Sequence, residues 1–80
     1  MDQILTISTT CGPEDPTRAT IPFHLARGAQ QTGVTVRIVL AGDSTDLIRP
    51  GVAETVRGKG VPPFLEVLTF AKENRIPIHV

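Results

Sequence analysis

Three short β-prone runs, Ile4–Ser8, Val34–Leu40 and Ile76–Val80, are separated by residues 9–33 and 41–75. Spacers of that length do not make hairpins. They make crossovers, so the three strands are predicted to run parallel, with right-handed connections. Both spacers carry helical patterning. The order reads strand, helix, strand, short helix, helix, strand: an α/β chain forming one domain over residues 1–80, with a parallel sheet in a three-layer α/β/α arrangement.

The local signals agree. Ile4-Leu5-Thr6-Ile7-Ser8 runs into Thr9-Thr10-Cys11-Gly12-Pro13, a loop signal. Glu14 and Asp15 precede a helix expected from about Thr17 to Gln31 or Thr32, with Thr17 as N-cap and the acids complementing the positive helix end. Ile21, Leu25 and Ala29 recur at four-residue spacing with Ala26 beside them, which predicts the buried stripe. Pro22 fits best in a first turn, so Thr20 competes as cap. Gly33 suits the position just past the helix end.

After Val34–Leu40, Ala41-Gly42-Asp43-Ser44 reads as a loop, Thr45 to Ile48 as a helical turn, and Arg49-Pro50-Gly51 as a break. Val52, Ala53 and Val56 make one apolar face of a short helix. Pro62 and Pro63 open a second long helix carrying Phe64, Leu65, Val67, Leu68, Phe70 and Ala71, with Asn74 as its C-terminal cap.

Composition narrows the function. Eight acidic and eight basic residues cancel, and three Phe are the only aromatic side chains. A nucleic-acid partner calls for a basic excess and stacking platforms, and neither is present. No apolar run approaches about 18 residues, so no membrane span is expected. Met1-Asp2-Gln3 lacks a basic signal-peptide start, and a cytoplasmic location is expected. Cys11, His24 and His79 are too scattered in sequence to suggest a metal site. No cofactor is implied. A core built from 80 residues without a disulfide is small, which points to a homo-oligomer or an assembly with related subunits.

In an open α/β sheet, ligands bind beyond the carboxyl ends of the strands. That rule selects the candidate residues. Cys11, the one thiol, follows the first strand, and a helix directed at its loop favours thiolate. Its plainer role is a small, partly buried side chain. Gly12 allows a tight backbone beside it. Asp43 and Ser44 follow the second strand and serve either a polar ligand or the cap of the next turn. Arg57-Gly58-Lys59-Gly60 precedes a helix but lacks the first glycine and the hydroxyl of a phosphate loop, leaving Lys59 as a flexible anion contact or a solvated charge.

The order of these segments resembles the DsrE/YchN-like proteins, small α/β proteins that include sulfur-relay subunits. The resemblance runs through Ile4–Ser8 and its Pro-containing loop, then Arg18-Ala19-Thr20-Ile21-Pro22-Phe23 with Leu25-Ala26. It continues through Val34–Leu40 with Ala41-Gly42-Asp43, Gly60-Val61-Pro62-Pro63-Phe64-Leu65-Glu66 and Asn74–Val80. It implies sulfur transfer or a thiol-linked accessory role, with a sulfur donor or acceptor protein as partner. In the sulfur-carrying members the persulfide cysteine follows the third strand directly, where this sequence ends. The expectation is either a longer natural chain that supplies that cysteine and the family's last helix and strands, or a short form without them. Cys11 is then the only thiol available for catalysis. The other class left open is a non-catalytic anion-binding or scaffold module acting as an oligomer.

Overall fold

The computed structural model describes residues 3–80. Met1 and Asp2, part of the argument against a signal peptide, lie outside the described residues. Strand β1 (Ile4–Thr9) leads to helix α1 (Pro16–Gln31) and strand β2 (Thr35–Leu40). Two 3-10 segments, Gly42–Ile48 and Ala53–Thr55, precede helix α2 (Phe64–Glu73) and strand β3 (Ile78–His79). The three strands form one parallel sheet in the order β1-β2-β3. The α/β class with a parallel sheet is therefore what the chain adopts.

Register decides which residues share a face. Leu5, Ile7 and Thr9 stand beside Val36, Ile38 and Leu40, and Ile78 follows beside Ile38. Val36, Ile38 and Leu40 are buried, whereas Thr6, Ser8, Arg37 and His79 on the opposite face are exposed. Consecutive right-handed crossovers to neighbouring strands place both helices on one side. Three parallel strands with their helices are consistent with an α/β/α arrangement, and the face that carries Thr6 and Arg37 is exposed among the described residues. There Arg37 donates from Nε to Thr6 Oγ1 at 2.6 Å, linking β2 to β1 across open surface.

Helix α1 begins earlier than the sequence suggests. Asp15, not Thr17 or Thr20, is the N-cap, and its carboxylate accepts from the Arg18 N–H at 3.1 Å. Pro16 takes the first helical position, where its missing N–H costs nothing. Pro22 consequently lies inside the helix rather than in its first turn. It cannot donate back along the helix, so the ladder has a gap there. The far end follows expectation: Gly33, at φ 93°, donates to the Gln30 carbonyl, and Val34 donates to Ala29.

The buried stripe of α1 is Ala19, Thr20, Phe23 and Ala26, while Ile21 and Leu25 remain 40% and 59% exposed. This corrects the predicted stripe. Small side chains at Ala19 and Ala26 allow close helix approach, and Phe23 fills the remaining space. Its ring meets Phe64 of α2 edge to face, with centroids 4.8 Å apart and planes at 76°. Thr20 is buried without penalty because its hydroxyl donates to the Pro16 carbonyl at 2.8 Å.

Helix α2 buries Phe64, Val67, Leu68 and Ala71, and exposes Leu65. Asn74 caps it as expected, donating from Nδ2 to the Phe70 carbonyl at 2.9 Å. Arg75 then adopts φ 56°, a left-handed turn without a glycine. Ile76 spends its N–H on the Ala71 carbonyl, and Pro77 has none. For that reason β3 is confined to Ile78–His79, shorter than the predicted Ile76–Val80, although the Pro77 carbonyl still accepts from Ile38 at 2.9 Å.

Candidate functional site

The carboxyl edge of the sheet gathers the loops that the sequence singled out. Thr9 ends β1, and its buried hydroxyl oxygen accepts a long bond from the Cys11 N–H at 3.4 Å. Cys11 is free and partly exposed. The next residue is held more tightly. The Gly12 N–H donates to Glu14 Oε1 at 2.8 Å, and the Gly12 carbonyl accepts from the Asp15 N–H at 3.1 Å. A Cβ on Gly12 would collide with the Asp43 carbonyl oxygen and stand 2.7 Å from its carbon. Only glycine lets the β1 loop lie against the β2 loop this closely.

The β2 loop is fixed by Ser44. This side chain is fully buried in the 3-10 segment, although sequence reading offered it as a ligand contact or cap. Its hydroxyl accepts from the Ala41 N–H at 2.9 Å, and its proton has two acceptors at 2.8 Å, the Thr9 and Ala41 carbonyls. Ser44 therefore ties together the ends of β1 and β2. Asp43 is exposed, and its backbone carbonyl lies against Gly12. Glu14 and Asp15 divide local duties, one bracing Gly12 and the other capping α1.

The third segment comes from far along the chain. Lys59 donates its backbone N–H to Thr17 Oγ1 at 3.0 Å, and Gly58 lies against the Thr17 backbone. Thr17 thus anchors the basic loop to the first turn of α1, a role its predicted capping duty did not foresee. The Lys59 side chain is exposed. Three loops consequently converge around the start of α1: Thr9 to Asp15, Gly42 to Asp46 and Gly58 to Lys59. Cys11, Gly12, Asp43, Ser44 and Lys59 all belong to them.

The histidines lie elsewhere. His24 is exposed on α1, with Nδ1 3.2 Å from Arg27, and His79 is exposed on β3. No group of three or more His, Cys, Asp or Glu converges as metal ligands among the described residues. No helix among them is long and apolar enough to cross a membrane. An open groove of about 650 Å³ runs along α2, lined in part by Val56, Arg57, Leu65 and Phe70. It contains no residue of the Cys11 or Asp43 loops. Its Arg27 is already paired with Glu66 at 3.0 Å. Sequence reasoning missed this groove, because no pattern within one segment encodes a space between two.

No protein-family model, curated protein or solved structure matches the chain.

Proposed function

We propose that this chain is a thiol-linked accessory protein of the DsrE/YchN-like, sulfur-relay type, working through Cys11 at the carboxyl edge of its sheet. The observation that carries the reading is the position of Cys11. The residue is partly exposed, and it is flanked by a loop locked against the β2 end through Gly12 and Asp43. A reactive thiol needs access for its partner and a backbone that holds it there. The order of segments from Ile4 to Val80 supports the sulfur assignment by resemblance.

The chemistry is an exchange. The Cys11 thiolate attacks the terminal sulfur of a partner's persulfide. A new S–S bond forms on Cys11, the partner's S–S bond breaks, and the partner leaves as its thiolate. One sulfur atom moves, no external oxidant is consumed, and the reverse attack by an acceptor thiol restores Cys11. Such a protein works in a reducing compartment, in keeping with a cytoplasmic location, and alongside a donor or acceptor protein.

The test is transfer of sulfane sulfur from glutathione persulfide to an acceptor thiol, followed with the native chain and with Cys11→Ser. The native chain is expected to accelerate transfer and the variant to leave only the uncatalysed rate. Equal rates for both overturn the reading.

A second reading rests on a separate observation. Lys59 and Thr17 hold a basic loop at the first turn of a helix 16 residues long. The exposed Lys59 cation, rather than the helix end that Asp15 already caps, would supply the contact for a small anion, so the chain would act as a binding module. Loss of phosphate binding in Lys59→Ala, with Cys11→Ser unaffected, favours this reading over the first.

A further inference from the structure

Among the described residues β2 alone pairs with strand β1, which makes β1 an edge of the sheet they form. Of the two edges, at β1 and at β3, the longer is the one at β1. It offers six residues, against two in β3. Natural edge strands are blunted by charge, proline, bulges or shortness. Ile4-Leu5-Thr6-Ile7-Ser8-Thr9 has no charge and no proline, and its pairing with β2 is unbroken over all six positions. Ile4 and Leu5 are 64% and 41% exposed.

The hydrogen bonds set the phase of this edge. In a parallel ladder the N–H and C=O of one residue point to the same side, and the sides alternate along the strand. The Gln3 carbonyl accepts from Thr35, and the Thr9 carbonyl accepts from Ala41. Gln3, Leu5, Ile7 and Thr9 therefore face β2. The N–H and C=O groups of Ile4, Thr6 and Ser8 point outward.

We infer that β1 pairs antiparallel with β1 of a second copy of this chain, about a twofold axis passing beside Thr6. In that register Thr6 faces Thr6 of the copy, and Ile4 faces Ser8. All three outward residues then exchange both backbone bonds across the axis. Leu5 comes to lie opposite Ile7 of the copy on the helix-covered face, extending apolar contact across the junction. The two sheets become one, with every helix on the same side. An axis shifted to Ile7 would put inward-pointing groups at its centre and would carry the pairing out to Thr10, beyond the strand. Charge does not oppose the union, since the chain's formal net charge is zero and β1 places no like charges opposite each other.

Sedimentation equilibrium of the 80-residue chain tests this, with Thr6→Pro as the diagnostic variant. The Thr6 N–H points away from β2, so a proline there is tolerated by the monomer, as on other edge strands, and circular dichroism checks that it folds. The native chain is expected at twice its 8.6 kDa mass and Thr6→Pro at 8.6 kDa. A second measurement keeps the register falsifiable. In a Cys11→Ser background, Thr6→Cys is expected to cross-link to its copy under mild oxidation, because paired α-carbons lie about 5.5 Å apart. Ser8→Cys is expected not to, because the two copies of residue 8 lie about 14 Å apart at ~3.4 Å per residue. A native monomer, a Thr6→Pro dimer as tight as the native one, or equal cross-linking at both positions overturns the inference. A native monomer would assign the edge to a strand of some other polypeptide.

Discussion

The Ser44 hydroxyl lies 2.8 Å from the Thr9 carbonyl oxygen, joining the carboxyl ends of β1 and β2 across 35 residues of chain. The contact is buried, so its loss is not made good by water. Replacing Ser44 by Ala removes the bond and leaves the Ala41 N–H without its side-chain acceptor. The expected cost is about 1–3 kcal/mol. Urea titration checks it: the midpoint should fall while the slope stays unchanged.

Gly12 occupies space that no other residue fits. Gly12→Ala drives a methyl group into the Asp43 carbonyl, and both contacting groups are backbone. One of the two loops must move, at an expected cost of about 1–3 kcal/mol, as for other overpacked sites. Gly28→Ala is the control, since a Cβ there meets nothing within 4 Å. Thermal unfolding of both variants should show a large drop for the first. The second should hold or gain, because alanine is the better helix former by roughly 0.8–1 kcal/mol.

Arg75 carries strain that glycine would relieve. It ends α2 with φ 56°, donating to the Lys72 carbonyl while Ile76 closes on Ala71. A left-handed residue with a Cβ costs about 1 kcal/mol or more, and glycine's extra unfolded freedom offsets roughly 0.5 kcal/mol of the relief. Arg75→Gly is expected to stabilise the chain by about 0.5 kcal/mol net, measured by the same urea titration. Loss of stability would mean that the Arg75 side chain contributes more than its backbone costs.

The two ends of α1 illustrate what can be read from sequence. Gly33 marks the helix end because a left-handed residue there favours glycine, and that signal is local. The start misleads because Thr17, Thr20 and Pro22 present rival local solutions. Asp15-Pro16 wins, freeing Thr17 to hold the Lys59 loop. The strands are legible from their apolar runs, whereas the bare sheet face is not, since exposure depends on what another segment covers. Likewise Ser44 reads equally as a ligand contact or a cap. Its bond to Thr9 exists only once two strands lie side by side. The candidate residues were legible through one rule, that loops at the carboxyl ends converge. Their individual duties depend on contacts such as Gly12 with Asp43, made between residues far apart in sequence.

The core between the helices rests on Phe64, fully buried against Phe23. Phe64→Ala removes a ring from the junction of α1 and α2 and is expected to cost about 3–5 kcal/mol. In so small a domain that is a large part of total stability. Near-complete loss of folded signal at 37 °C is the expected result by circular dichroism.

Intact mass of the chain purified from cells without reductant tests the Cys11 account most directly. The account predicts a fraction carrying one extra sulfur, about 32 Da, as a persulfide. It should map to the peptide containing Cys11, be removed by dithiothreitol, and be absent from Cys11→Ser. A chain recovered wholly unmodified under conditions that preserve persulfides, or an adduct that persists in Cys11→Ser, would contradict it.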